Sequence, residues 1–491
     1  MQPDILFFFS DQHHAGYSGF SGNDTVETPA LDRLAGDGTV FRSAYTSCPL
    51  CVPARSSMLS GQLPANTGIY TNGGRLRSDQ ATFLHSLGAE GYETVLCGRM
   101  HFKGPDQRHG FTRRITGDVT QMENGIDDGW STELGPYAGG PLGMGGCVDI
   151  LGGGNSPVLE YDRAVIRAAL DYLEKEHDKP QCLVVGTYGP HFPYVAPPRL
   201  YQRYMDQVDV PGSWYDEGDC RHPLTEQKKQ RIRTPRDSGE EVDVTPDDVR
   251  AARAAYFGMI TQLDRQIGQV REAWEDYLNR NEREGLFIYS SDHGDTCGEH
   301  GVFGKQTFFE GSAGIPLIFE GSGVKPGQDI DSPASIMDIG PTLCELVGAT
   351  APPAQDGRSL AACLRGKEED RDRYVLSEFM ESRDGRLAPG RMIRHRNWKY
   401  ITYAHEAHDG LLFDLDHDPE EVNDLSATRP EVVAQLHEWA TENWRPEQLA
   451  EKFTERQRHQ SLIAQAPTNP LIPQNERLRV PESARRLPEI R

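Results

Sequence analysis

The stretch Ile5-Leu6-Phe7-Phe8-Phe9-Ser10-Asp11-Gln12 frames the whole chain: a run of five apolar residues that leads into a carboxylate and an amide. Short apolar or β-branched runs recur at residues 94–97, 182–186, 286–290 and 317–319, separated by amphipathic stretches. This alternation predicts an α/β fold, with a large mainly parallel sheet sandwiched by helices. Four of the five runs are followed by polar, chemistry-bearing residues: Asp11 and Gln12, Arg99 with His101, Thr187 with His191, and Asp292 with His293. In open α/β sheets ligands bind beyond the carboxyl ends of the strands, so the four clusters are expected to share one site.

At 491 residues the chain exceeds the size at which a single core stops growing, and one large domain with a smaller partner is the default. We expect a catalytic α/β unit over residues 1–371, a C-terminal α+β subdomain over 372–450 and an extended tail over 451–491. In the subdomain, residues 399–403 and 411–415 pattern as paired antiparallel strands, and 430–444 as a closing helix. The tail, rich in Arg, Gln and Pro, shows no sustained period and is expected to be disordered or draped over a neighbour. The clearest helix opens at Thr245, with Pro246 at its first position and Asp247 and Asp248 in its first turn. Its stripe Val249, Ala252, Tyr256, Met259, Leu263, Ile267, Val270 and Trp274 reads as core packing.

With 51 basic against 74 acidic residues the formal charge is −23, which argues against nucleic acid or an anionic membrane as a broad surface partner. An anionic substrate must then be attracted locally, by a metal or by clustered cations. Nine cysteines without regular spacing do not read as a disulfide framework. The N-terminus lacks a basic segment and a cleavage site, and the expectation is a cytoplasmic protein.

Asp11 and the Asp292-His293 pair fall at the ends of two well-separated strands, where their carboxylates would repel without a cation between them. A divalent metal accounts for both, and Gln12 can offer its amide oxygen to the same ion. Oxygen-dominated ligation favours Ca2+, with Mg2+ or Mn2+ as alternatives, and the imidazole leaves zinc open. The bland alternative is that Asp11 caps a helix or turn. A second anomaly is Cys51 in Cys51-Val52-Pro53-Ala54-Arg55-Ser56-Ser57-Met58-Leu59-Ser60-Gly61. Taken alone it is a buried cysteine or, with Cys48, half of a redox or zinc pair.

The pattern Cys-x-Pro-x-Arg followed by an apolar turn ending in Ser-Gly resembles the maturation motif of the type I sulfatases. Further motifs occur in the order seen in that family: Thr28-Pro29-Ala30-Leu31-Asp32, Gly98-Arg99-Met100-His101, Gly189-Pro190-His191-Phe192-Pro193-Tyr194, Asp292-His293-Gly294-Asp295, Gly304-Lys305 and Leu412-Phe413-Asp414-Leu415. The resemblance covers nearly the whole chain and implies an alkaline-phosphatase-like fold. The Asp11-Gln12 and Asp292-His293 variants resemble choline sulfatases and phosphonate monoester hydrolases, and the run from Gly98 to Phe111 is especially similar to choline sulfatases. Trp130 could stack on a quaternary ammonium group or lie in the core. Three departures bear on the substrate: Arg99 where Lys is usual, Gly314 where many relatives carry Arg, and a glycine-rich segment over residues 135–154.

This resemblance implies that Cys51 is oxidised by a formylglycine-generating maturation enzyme, and that the hydrated aldehyde, on the metal, attacks sulfur. A sulfated hemiacetal would follow and collapse with release of sulfate. Arg55 would fix the diol, and Arg99, His101, His191 and Lys305 would face the sulfate oxygens. One of the last three would be the acid to the leaving alcohol, and Asn72 would donate to substrate. The implied reaction is hydrolysis of a small-molecule or saccharide sulfate ester. The alternatives are a phosphonate monoester hydrolase or phosphodiesterase using the same site, and a non-catalytic binding protein whose Cys51 stays reduced. A homo-oligomer through the tail is also implied; His13 and His14 have no role assignable from sequence.

Overall fold

A computed structural model of the chain describes residues 2–465 apart from 121–147, 149, 368, 406–409 and most of 216–240. The sheet expected from sequence has eight strands: β1 (Asp4–Asp11), β2 (Thr39–Phe41), β3 (Glu93–Gly98), β4 (Arg113–Thr116), β5 (Gln181–Pro190), β6 (Gly285–Ser291), β7 (Leu317–Gly321) and β8 (Gln328–Ile330). They lie in the order β8-β2-β7-β6-β1-β5-β3-β4. Only β7 runs against the rest, pairing antiparallel with both β6 and β2. All five apolar runs of the sequence are strands here.

The β1 run is apolar throughout because both faces of the strand are covered. Ile5, Phe7 and Phe9 enter one core, and Leu6 and Phe8 enter another on the opposite side. The second core is closed by helix α4 (Pro246–Arg280), reached after α1 (Pro29–Asp37), α2 (Cys51–Ser60) and α3 (Pro157–Leu173). Thr245 caps α4 as expected: its hydroxyl accepts the Asp248 N–H while Asp248 accepts the Thr245 N–H, a motif worth about 1 kcal/mol. The whole eight-residue stripe is buried. At roughly 1.5–3 kcal/mol for each large side chain, docking outweighs the cap in holding this helix.

A second sheet follows, with antiparallel strands β9 (Tyr374–Arg383), β10 (Arg386–His395), β11 (Trp398–Tyr403) and β12 (Leu411–Asp414). The pair at 399–403 and 411–415 was legible; the longer β9/β10 hairpin was not, because its charged residues mask any alternation. Helix α5 (Pro430–Thr441) covers this sheet through Leu436 and Ala440.

The expectation of a tail without period from residue 451 is corrected over its first part. Helix α6 spans Pro446–Gln465 and docks on its own chain. Phe453 packs on Tyr70 and Met380, while Arg456 donates to the carbonyls of Thr67, Gly68 and Arg75. The docking stripe Leu449, Phe453, Arg456, Gln460 does have helical spacing. Half of it is polar, so a hydrophobic count passes over it.

Candidate active site

The polar clusters converge at the carboxyl ends of β1, β3, β5 and β6. A bulge in the β1–β5 ladder between Phe9 and Asp11 re-aims Asp11, and Gln12 follows in the left-handed region with φ of 71°. Tyr256, from the α4 stripe, fixes that strained backbone by donating to the Gln12 carbonyl and accepting the His14 N–H. One residue of a stripe expected to serve only the core thus also holds the site.

Cys51 is the first residue of α2. Leu50 precedes it and has no side chain able to cap, so the cap comes from elsewhere: Asn72 Oδ1 accepts the Val52 N–H at 3.0 Å. The Asn72 amide nitrogen stays 4.0 Å from Cys51 Sγ. Asn72, expected to serve substrate, is here committed through its oxygen to the helix that carries Cys51.

The ligand atoms of Asp11, Cys51, Asp292 and His293 all lie within 4.8 Å of one another, and all four residues are buried. His293 Nδ1 faces the Gly294 carbonyl at 2.9 Å and must donate to it, which leaves Nε2, 3.3 Å from Cys51 Sγ, as the nitrogen available to a metal. Against burial, Asp292 raises this imidazole above its ordinary value, so a metal would bind with loss of the Nε2 proton. Gln12 belongs to the same set. Its Nε2 donates to Asp295 at 2.5 Å, so its Oε1 points inward, where Lys305 Nζ reaches it at 2.8 Å. Carboxylates, an amide oxygen and one imidazole suit a hard divalent cation.

Arg55 binds both carboxylates, donating from NH2 to Asp11 at 2.9 Å and from Nε to Asp292 at 2.8 Å. Arg99 adds a 2.7 Å bond from Nε to the same Asp11 oxygen. Burial opposes charge on Asp11, yet these two guanidiniums hold its carboxyl well below the usual range. Asp292 is raised instead: burial and the neighbouring Asp11 charge outweigh Arg55 and His293. For Cys51, burial opposes ionisation, but Lys305 and His293 bring the thiol well below its ordinary value. The Lys305 Nζ lies 2.9 Å from Sγ.

The two remaining histidines differ in what they offer. His101 is pushed down to about 3 by burial and by Arg99. Its Nδ1 takes a donor from Arg99 NH2 at 2.7 Å, and the buried ring interacts with Cys51. His191 is also lowered, by burial and Lys305. Its Nδ1 faces the Phe192 carbonyl at 2.6 Å, so Nε2 is the nitrogen left to exchange a proton, and the ring interacts with Cys51.

Arg99, expected to face substrate, is held by protein groups on several sides. Its donors go to Asp11, His101 and Thr120, with Asp118 at 3.6 Å and the Tyr188 ring 3.8 Å below the guanidinium. A planar fork satisfies several fixed acceptors where a lysine would satisfy fewer. Asp118 also accepts the Met100 and His101 N–H groups, and no sequence signal marked it. Asp162, on α3, had no role assigned from sequence; it accepts the N–H groups of Tyr188 and Gly189 at 2.7 and 2.8 Å, just before His191. Asp295, inside the Asp292-His293-Gly294-Asp295 motif, orients Gln12 and Tyr194. His13 is structural: Tyr17 O takes its Nε2–H, Tyr289 OH serves its Nδ1, and burial pushes it down to about 4. His14 contacts Glu299 at 3.1 Å and stacks on Tyr17. Cys48 is buried and unpaired, and burial holds its thiol well above the usual range, which corrects any pairing with Cys51. Trp130 lies outside the described residues.

The sulfatase family model matches residues 3–349. The chain belongs to the sulfatase family. Residues 298–444 also match the C-terminal model of N-sulphoglucosamine sulphohydrolase. Among relatives, a choline-sulfatase of Rhizobium meliloti is 35% identical over 87% of this chain and 82% of its own length. Arylsulfatase K of Danio rerio is 28% identical over 89% and 82%. Among solved structures, the phosphonate monoester hydrolase of Agrobacterium radiobacter superposes with a TM-score of 0.72 at 23% identity, over 89% of this chain and 94% of that one. A 2-O GAG sulfatase gives 0.68 at 21% over 89% and 90%. The sulfatase chain is thus a sulfuric ester hydrolase with the alkaline-phosphatase-like fold, and among its described residues no helix is long and apolar enough to cross a membrane.

Proposed function

We propose that this sulfatase hydrolyses a small-molecule or saccharide sulfate monoester with residue 51 as nucleophile, after oxidation of Cys51 to formylglycine by a maturation enzyme. The observation that carries this reading is the burial of Cys51 Sγ within one 4.8 Å cluster with Asp11, Asp292 and His293, with Lys305 Nζ 2.9 Å away. Asp11, Gln12, Asp292 and His293 would hold a divalent cation, with Ca2+ favoured and Mg2+ or Mn2+ as alternatives. Such a cation supplies Lewis acidity toward the nucleophile and the sulfate oxygens.

Around that centre each side chain has a distinct task. Arg55 ties the two carboxylates together, and Arg99 fixes Asp11 and His101. His101 presents Nε2–H toward residue 51 as a hydrogen-bond donor. Lys305 supplies fixed positive charge where sulfate oxygens would sit. His191, able to gain a proton on Nε2, is the acid to the leaving alcohol. Among the described residues all seven cysteines are unpaired, which supports a reducing compartment, in keeping with a small cytoplasmic ester as substrate.

Intact-peptide mass of the Cys51 segment tests the nucleophile, and an aldehyde mass is expected. A thiol in fully active protein would overturn the scheme. Turnover of a panel of choline, sugar and aryl sulfates beside an aryl phosphonate monoester tests the substrate class, with the sulfates expected to be preferred.

A further inference from the structure

A cavity of about 620 Å³ lies where the second sheet meets the first, lined by Arg42, Arg371, Arg394 and Arg396 with Asp331 and Asp416. Four guanidiniums against two carboxylates is an unusual lining in a chain of charge −23. Arg42 and Asp331 directly follow β2 and β8, whose carboxyl ends face the same way as that of β6. At about 4.8 Å per strand, the cavity lies roughly 10–15 Å along the sheet from Asp292, on the same edge.

Three of the arginines are exposed and paired at the rim: Arg42 with Asp329 at 2.8 Å, Arg371 with Glu369 at 3.8 Å, and Arg396 with Asp372. Such pairs are weak and exchange readily. Arg394 is different. It is 6% exposed, and its Nε and NH1 have no hydrogen-bond partner among the described residues. Its charge has a reason: beside Lys399, its cross-strand neighbour, it helps to hold the Glu310 carboxyl low. Its donors have none. Leaving a buried N–H unpaired costs about 1–3 kcal/mol per group, and Arg394 lines the cavity, where an oxyanion drawn to its guanidinium would offset part of that cost.

We propose that this cavity is a second anion-binding site, separate from the metal cluster, that takes a sulfate, phosphate or carboxylate group on Arg394 with Arg396 and Arg42 at its mouth. The anion comes either from solution or as a second charged substituent of a larger substrate. The site does not depend on the chemistry proposed for Cys51, because its readout is binding.

Equilibrium dialysis of radiolabelled inorganic sulfate against the full chain tests it, comparing the parent with Arg394→Lys and with Arg394→Lys/Arg396→Gln. Lysine keeps the cation beside Glu310 and removes the planar donors. We expect the single variant to weaken one sulfate site at least ten-fold and the double variant to bind one equivalent less than the parent. An unchanged equivalent count and affinity in both would overturn the proposal. Should Arg394→Lys unfold, the exposed Arg396→Gln variant alone is expected to weaken the same site several-fold; unchanged binding there would overturn it equally. Measuring kcat/KM on a monosulfated and a disulfated saccharide separates the sources. A loss confined to the disulfated substrate identifies a substituent, and equal values with lost sulfate binding identify a free anion.

Discussion

Arg99 NH2 stands 2.7 Å from His101 Nδ1, and a guanidinium has no acceptor, so the imidazole must receive this bond and carry its own proton on Nε2. His101 is therefore neutral and a fixed donor, with no second proton to give. His191 has the opposite arrangement, Nδ1–H anchored on Phe192 O and Nε2 left to exchange a proton beside Cys51. The two histidines are expected to respond differently to the leaving group. For His191→Ala, the loss in kcat should grow from about ten-fold on nitrophenyl sulfate to 10²–10⁴-fold on an alkyl sulfate, because an alcohol of high pKa needs the proton most. For His101→Ala the loss should be similar on both. A series of aryl and alkyl sulfates checks this, and equal slopes for both variants would remove the assignment.

Arg55 donates to both Asp11 and Asp292, at 2.9 and 2.8 Å, and it is 1% exposed. Arg55→Gln leaves two buried carboxylates without their shared cation. Removing one member of a buried ion pair costs about 3–5 kcal/mol, so the urea midpoint should fall sharply in metal-free protein. Saturating divalent cation should restore a large part of that loss, since ion binding favours the folded state. A midpoint unaffected by the substitution would show that Arg55 does not hold the cluster together.

The sheet and the convergence of Asp11, Asp292, His293, Cys51 and Lys305 were legible because each follows a short apolar run or sits in a motif whose register a strand dictates. What escaped were residues that act on other residues. Asp118 lies in a loop of no recognisable period, and only the fold brings it under Arg99. Asp162 sits on the buried face of α3 among apolar neighbours, where periodicity assigns it to the core. Arg99 was expected at the sulfate because its motif position suggests a free cation. Its acceptors Asp11 and Thr120 come from other parts of the chain, so no local reading could count its donors.

Asp162 supplies a pH test on a carboxyl outside the proposed metal ligands. Burial raises its carboxyl from 3.8 to about 7, against the Tyr188 and Gly189 N–H groups that favour the anion. The folded protein thus binds this proton more tightly than the unfolded chain, and stability must fall as pH rises from about 4 to 7, by up to about 4 kcal/mol. Asp162→Asn cannot titrate. The difference in unfolding free energy between variant and parent should therefore shift in favour of the variant across that window and stay flat above it. Urea titrations at four pH values between 4 and 8 check this, and a constant difference would show that Asp162 is ionised throughout.

Helix α6 reaches the site through one chain of contacts. Arg456 holds the carbonyls of Thr67, Gly68 and Arg75, Gln460 holds Gly73, and the loop so fixed presents Asn72 to the first turn of α2. Arg456→Ala should leave the second sheet intact, so the unfolding temperature should fall by only a few degrees. It should nonetheless lower kcat several-fold, because Asn72 caps the turn that begins with residue 51. Asn72→Ala alone should lower kcat by a similar or larger factor, a lost cap being worth about 1 kcal/mol. The double variant decides between direct and relayed action. If Arg456 works through Asn72, the two losses will not multiply, and the coupling energy will approach the smaller single effect. Multiplicative losses would mean that α6 acts on the site by another route.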